Sequence, residues 1–287
     1  MRTPALLVLL LAGCGGGGGG TSLVALNGEN GVPVAAQALA ASQLAFGAID
    51  LVEAFGEILD GMPAPTCDTG SLDLSVTDAV PKDVLSTGDA LTLVFKGCGI
   101  DVAGEFLTLH GSLRLDVLEV VETPPAGRHI RYAATFGNLT MTFLTESVTL
   151  SGSVSGDGGT ADGISFTTVV TGDLVATAAS GVETGSVKLG GFRAEETLDD
   201  ATGDYARGFS GTVSSTAMGG AIGMEDAAPF TGNGEEPPTA GECVLKGALG
   251  SEVRVVAMGG PLVRIFIDAD GDGTPENTVD TTWNDIG

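Results

Sequence analysis

The stretch Leu107-Thr108-Leu109-His110-Gly111-Ser112-Leu113-Arg114-Leu115-Asp116-Val117 decides the fold class of this 287-residue chain. Apolar side chains occupy every second position, Gly111 interrupts the row once, and polar or charged residues lie between them. Successive side chains of a β-strand point to opposite faces of the sheet, so a period of two predicts a strand with one buried and one solvated face. Strands of this kind are typical of antiparallel sheets.

The same alternation recurs before and after this stretch. It marks residues 72–76, 91–95, 132–136, 139–143, 148–154 and 164–170. Its phase slips at Gly137-Asn138, which indicates a bulge or a turn. A short element, apolar-x-Gly-Ser/Thr-aliphatic, appears at Leu109–Leu113, Leu150–Val154 and Phe209–Val213, with a partial copy at Gly185–Val187. We expect its glycine to let the neighbouring strand pack closely.

An amphipathic helix is predicted ahead of the strands, over residues 33–62. Pro33 suits the first turn of a helix, and apolar residues recur at helical spacing through the second half. We expect the helix to be broken or bent near Gly47. The charge-free run 32–49 has the composition of a membrane span. Its internal polar side chains and the one-sided second half favour a helix packed on the sheet instead.

The composition limits the classes of partner. The chain carries 37 acidic residues against 12 Lys and Arg, a net charge of −25. Such a chain repels the phosphate backbone, so nucleic acid is not expected as a partner. The 46 glycines are typical of many strands joined by tight turns.

The N-terminus has the layout of an export signal. Arg2 precedes a short apolar run that is too short to span a bilayer. The four residues that end it, Leu11-Ala12-Gly13-Cys14, resemble the lipobox of bacterial lipoproteins. The resemblance covers only this end of the chain. It implies cleavage after Gly13, a diacylglycerol thioether on Cys14 and acylation of the new amine, which together anchor a protein to a membrane.

Glycines at all six positions from Gly15 to Gly20 predict a flexible tether behind this anchor. In some enteric lipoproteins an aspartate directly after the lipidated cysteine causes retention in the inner membrane. By that resemblance Gly15 favours the outer membrane, if the cell has one.

The expected organisation follows from these segments. The predicted parts are a signal peptide 1–13, an anchor and tether 14–32, the helix 33–62, an antiparallel β domain 63–231, a linker 232–240, and C-terminal hairpins 241–287 that extend the same sheet. The predicted fold is therefore mainly β, an antiparallel meander with one N-terminal amphipathic helix packed on it.

Three cysteines remain besides Cys14. Export to an oxidising compartment favours pairing, and Cys67 and Cys98 flank neighbouring predicted strands, so we expect them to form a disulfide. Cys243 is then left over. A catalytic thiol is the alternative, but neither of the two histidines, His110 and His129, has a nearby partner in the sequence. Both histidines are expected on the surface.

The sharpest acidic cluster is Asp268-Ala269-Asp270-Gly271-Asp272-Gly273-Thr274-Pro275-Glu276. Aspartates at alternate positions followed by glycine resemble the first half of an EF-hand-type calcium loop. By that resemblance Asp268, Asp270, Asp272 and Glu276 are candidate ligands of one calcium ion. Val279 stands where the loop should have its bidentate glutamate, and no helix is evident on either side. A polar hairpin turn, rich in Asp and Gly for backbone reasons, is the alternative interpretation.

No catalytic residues are predicted, because the chain lacks the Gly-x-Ser-x-Gly and phosphate-loop motifs. Three functions stay open. The first is a non-catalytic structural or interaction module on a membrane tether. The second is a carrier that holds an apolar ligand between helix and sheet, an expectation that rests on fold analogy. The third is a hydrolase with an unrecognised carboxylate pair.

Overall fold

A computed structural model of the protein describes residues 22–59, 61–79, 85–102, 105–123, 127–180, 183–234 and 236–286. These residues form a long helix α1, thirteen strands, one 3₁₀ turn and a short C-terminal helix α2. The helices are α1 Gly31–Gly56 and α2 Trp283–Ile286, and the 3₁₀ turn is Ala248–Gly250. The strands are β1 Thr69–Thr77, β2 Ala90–Val102, β3 Glu105–Thr123, β4 Gly127–Phe143, β5 Glu146–Thr160, β6 Ser165–Ser180, β7 Glu183–Asp199, β8 Asp204–Ser215, β9 Gly220–Asn233, β10 Ala240–Lys246, β11 Glu252–Ala257, β12 Leu262–Asp268 and β13 Asn277–Thr282.

The strands make a single antiparallel meander. Each strand pairs with its neighbours in the sequence, and the spatial order runs from β1 to β13 without a crossover. The predicted fold class is therefore confirmed. The segment 232–240, predicted as a linker, joins β9 to β10, which pair in the same sheet.

A line of bulges crosses the sheet from β2 to β9 and explains the recurring glycine element. The strand register shifts at this line in six of the seven pairs from β2–β3 to β8–β9, and the slip at Gly137-Asn138 is one of these bulges.

The glycines of the three full copies of the element, Gly111, Gly152 and Gly211, all have positive φ. A Cβ on any of them would come within 2.1–2.7 Å of backbone atoms of the adjacent strand. The expected close approach is confirmed for these copies. The partial copy lies elsewhere on β7, where Gly190-Gly191 occupies the bulge instead.

The sheet curls around α1. Glu53 and Phe55 lie 200° apart on a helix, yet Glu53 accepts a hydrogen bond from Thr168 on β6, and the ring of Phe55 packs 6.0 Å from that of Phe95 on β2. A flat sheet would contact only one side of the helix. Bulges increase the local bend and twist of strands, so the transverse line of bulges gives the sheet this curvature.

The helix is buried on all sides near its middle. Five consecutive residues, Ala38 to Ser42, are buried, and five positions spaced by 100° cover the whole circumference. One-sidedness is confined to the second half. The helix runs without a break through Gly47, so the predicted break was wrong. It is long and apolar enough to cross a membrane by composition alone, but 67% of its apolar window is buried inside the protein.

The segment before α1 differs from the predicted tether. Leu23 pairs with Ala221 at the start of β9, and Leu26 is buried, with its amide donating to the Ser251 hydroxyl at 2.9 Å. Residues 23–30 are therefore fixed to the sheet, and the helix begins at Gly31, before the expected Pro33. The apolar run, Cys14 and Gly15–Gly20 lie outside the described residues.

Candidate functional site

The acidic loop Asp268–Glu276 connects β12 to β13. Asp268, Asp270, Asp272 and Glu276 each place one carboxylate oxygen within 4.8 Å of the others, so the structure brings the four predicted ligands together. Asp268 is buried and the other three are exposed. Four oxygens at this spacing could supply part of a calcium shell, which takes six to eight oxygen ligands.

Backbone amides shape the same loop. The amides of Gly271 and Gly273 donate to the two oxygens of Asp268, both at 2.7 Å, and the amide of Ala269 donates to Glu276 at 2.7 Å. These bonds suit a stable hairpin turn as well as a cation site. Val279 pairs with Ile265 inside the sheet, and strands flank the loop on both sides. The EF-hand resemblance therefore ends with the first half of the loop.

Calcium binding stays a prediction, and it can be measured directly. If the loop binds Ca²⁺ with a Kd of about 1 mM, 10 mM Ca²⁺ should stabilise the folded state by about 1.4 kcal/mol. The melting temperature should then rise by a few degrees. Equal concentrations of Mg²⁺ serve as the control, and the D268N/D270N/D272N variant should not respond. A wild type that melts at the same temperature with and without Ca²⁺ would leave the loop a polar turn.

A cleft of about 370 Å³ opens between α1, β8, β9, the β9–β10 connection and α2. The apolar side chains along it are Leu39, Phe46, Phe209, Met224, Phe230 and Trp283. Trp283 is the only tryptophan of the chain. It packs edge-on against Phe230 at 5.4 Å, and its indole nitrogen donates to the carbonyl of Pro238 at 3.2 Å.

One ion pair stiffens a wall of the cleft. The guanidinium of Arg207 lies between the rings of Phe46 and Tyr205, 5.3 and 5.1 Å from their centroids. It also donates to Glu196 at 2.6 Å, and both side chains are largely buried, 19% and 13% exposed. A planar guanidinium is suited to such a stacked, paired site. The wall is therefore held by contacts on three sides.

Asp226 is the unusual polar group of the cleft. One of its carboxylate oxygens accepts the amide of Phe209, while the other is buried without a hydrogen-bond partner. Burial raises the pKa of Asp226 to about 7, the negative charge of Glu195 adds to this, and the Phe209 amide opposes it. The carboxyl can therefore carry a proton at neutral pH, which lowers the cost of the missing partner.

The cysteines lie as the spacing indicated. Cys67 and Cys98 form a disulfide with Cα atoms 5.1 Å apart, which confirms that prediction. Among the described residues Cys243 is the free cysteine, and it is fully buried. Burial raises the pKa of its thiol, and the charges of Asp226 and Glu242 add to this. A thiol in this state is a poor nucleophile, which argues against the catalytic alternative.

Both histidines are on the surface, as predicted. His110 is exposed, and His129 contacts Asp157 at 2.6 Å with 42% of its side chain exposed. Neither lies among the residues along the cleft. In the described part of the chain, no observation singles out a carboxylate pair for hydrolysis.

Sequence reasoning found the acidic loop but missed the cleft. The loop is nine consecutive residues, whereas the cleft is assembled from five segments spread between residues 39 and 284. The sequence signals for the cleft were weak and lay apart in the chain. Trp283 was interpreted as the end of a strand, and Pro237-Pro238 as part of a linker. Comparison with known protein families, curated proteins and solved structures found no match.

Proposed function

We propose that this protein is a bacterial lipoprotein of the cell envelope, held to a membrane by lipid on Cys14, that acts as a non-catalytic structural or interaction module. The observation that carries the proposal is Leu11-Ala12-Gly13-Cys14 behind a charged and apolar N-terminus, followed by six glycines. Gly15 favours the outer membrane of a cell that has two.

The start of the folded part supports this placement. Because Leu23 is already paired with the sheet, only residues 15–22 separate Cys14 from the domain. Eight residues span at most about 28 Å when extended, and about 16 Å on average if they behave as a flexible glycine-rich chain. The domain would therefore stay close to the bilayer.

The interior of the protein supports a non-catalytic role. Ala35, Ala38, Ala41 and Ala45 on α1 are fully buried, so the helix packs closely against the rest of the protein at these four positions. The acidic surface makes a polynucleotide an unfavourable partner. The partner that this proposal names is the membrane, through Cys14.

Lipidation can be tested by replacing the cysteine. The C14S variant should leave the membrane fraction or accumulate as an uncleaved precursor, because it cannot form the thioether. Wild-type protein should give an N-terminal peptide with the added mass of the acyl chains. The C243S variant is the matched control and should stay with the membrane. A wild-type mature N-terminus with an unmodified thiol would exclude the proposal.

We propose ligand carriage in the cleft as a second function. Its volume of about 370 Å³ lies within the range of small-molecule pockets, and apolar walls with few polar groups are typical of them. It lies between helix and sheet, where a carried apolar ligand was expected.

The sole tryptophan gives a direct readout of occupancy. We expect 1-N-phenylnaphthylamine, a neutral apolar dye, to bind saturably and to quench Trp283 by energy transfer. The A40F variant should weaken binding at least tenfold, because Ala40 borders the cleft and the larger side chain would occupy it. The L144S/L249S variant, which removes two exposed leucines, is the control and should bind as wild type. Equal binding by the A40F variant would contradict carriage here.

A further inference from the structure

The two ends of the sheet are not equivalent. In an antiparallel meander successive connections alternate between the ends of the sheet. Those that follow β2, β4, β6, β8, β10 and β12 therefore share one end, which we call the proximal end. The described chain also enters here, because Leu23 pairs with Ala221 at the start of β9. The remaining connections form the distal end.

Two leucines on proximal connections are almost completely exposed. Leu144, between β4 and β5, is 96% exposed, and Leu249, between β10 and β11, is 93% exposed. No other large hydrophobic residue in the described ranges exceeds 54%. Both leucines have left-handed φ values, 51° and 60°, a region that favours glycine. Neither side chain is buried in the fold, so both are free to make a contact outside the protein.

One of these leucines is next to the entering chain. The amide of Ala248 donates to the carbonyl of Val24 at 2.8 Å. Leu249 directly follows Ala248 in the sequence, and Leu23 directly precedes Val24. Leu23 is itself 48% exposed. The chain that continues N-terminally from this point carries the six glycines and Cys14.

We propose that the proximal end rests on the bilayer, with the side chains of Leu249 and Leu144 inserted at the membrane interface and Leu23 beside the anchor. This inference rests on the proposed lipidation of Cys14. The tether of eight residues keeps this end within about 28 Å of the membrane. Isolated leucines become favourable contacts when they enter the apolar boundary of the bilayer.

The preferred surface is zwitterionic. The acidic loop Asp268–Glu276 lies on the connection between β12 and β13, at the same end, and Gly271 within it packs against Gly250. Carboxylates beside Leu249 repel anionic lipids. We therefore name phosphatidylcholine as the lipid for the test.

The arrangement would direct the cleft away from the membrane. Pro237-Pro238 belongs to the β9–β10 connection at the distal end, and Trp283 contacts Pro238 there. A ligand would then enter the cleft from the aqueous side.

Brominated lipids, which quench nearby tryptophan, test the orientation. The full lipidated protein is reconstituted into phosphatidylcholine vesicles with plain or brominated acyl chains. In the wild type, the emission of Trp283 reports the distance of the distal end from the membrane. This emission should be less than a tenth lower in brominated than in plain vesicles. The L249W and L144W variants add a tryptophan where the native side chain is almost completely exposed, and each added emission should fall at least twofold. The matched control is L262W, at a distal position that is 52% exposed, and it should behave as wild type.

The outcomes separate the two proposals. Vesicle flotation reports the anchor: a wild type that fails to float contradicts lipidation, and this inference falls with it. If the protein floats but either L249W or L144W is quenched no more than L262W, the anchor stands and the orientation is wrong. A blue shift of L249W without lipid, accompanied by a dimer in size-exclusion chromatography, would assign the leucines to a protein contact and also overturn the inference.

Discussion

Replacing Gly111 by alanine should lower the free energy of unfolding by about 3–5 kcal/mol, one of the largest single-residue effects expected in this protein. Gly111 has φ +93°, and a Cβ there would lie 2.1 Å from the carbonyl oxygen of Asn138 on β4. That atom belongs to a backbone held in the sheet, so it cannot move aside without breaking the ladder. Strain in the backbone and the steric overlap therefore add.

The bulge line provides a matched control. Gly191 also has a positive φ, +53°, but a Cβ there would meet nothing within 4 Å. The G191A variant should then cost only about 1–2 kcal/mol, the strain of a left-handed alanine. Urea unfolding of both variants, compared with wild type, measures the difference. Equal losses of unfolding free energy in the two variants would contradict the prediction. They would mean that the close approach of β3 and β4 adds nothing to the cost of the substitution, and that the positive φ alone requires glycine.

The same glycines show how far the sequence predicts this fold. Alternation between Leu107 and Val117 is a local property, so it identifies strands and their buried face without knowledge of their neighbours. The repeated glycine element indicated a close approach for the same reason. The alignment of the bulges into one line depends on the register of seven strand pairs, which no single segment encodes.

The helix illustrates a second limit. Periodicity in residues 44–59 correctly predicted a helix with one buried side, but the alanine-rich first half gave no periodic signal. Burial around the whole circumference, as at Ala38 to Ser42, requires a sheet that curls around the helix. Packing around α1 keeps the helix continuous through Gly47, because it outweighs the cost of about 1 kcal/mol for one glycine.

The candidate sites divide in the same way. Asp268, Asp270 and Asp272 converge because their spacing and the intervening glycines bring them together locally. Asp226 looked like any other acidic residue of an acidic chain. The pKa of Asp226 is raised because its carboxyl is buried and because Glu195 on β7 adds a negative charge. Glu195 is not adjacent to Asp226 in the sequence.

The second large effect is expected from the disulfide. The C67S/C98S variant should lose roughly 3–4 kcal/mol of stability, since the bond closes a loop with a sequence separation of 31 residues and restricts the unfolded chain. Reductant should destabilise wild type by a similar amount and leave the variant unchanged, which is the internal control. An identical unfolding midpoint for oxidised and reduced wild type would contradict the prediction.

The location of the bond predicts which part of the sheet opens. Within the described residues β1 is an edge strand with β2 as its one partner, and its apolar residues Leu74 and Val76 are 45% and 48% exposed. So little burial leaves β1 dependent on its backbone ladder and on the covalent link just before it. In the C67S/C98S variant, hydrogen exchange should accelerate first in β1, at least tenfold more than in β3 and β4. The inward row of β2, which includes Leu91, Leu93 and Phe95, would then lose the strand that covers its edge, and an uncovered apolar edge promotes aggregation.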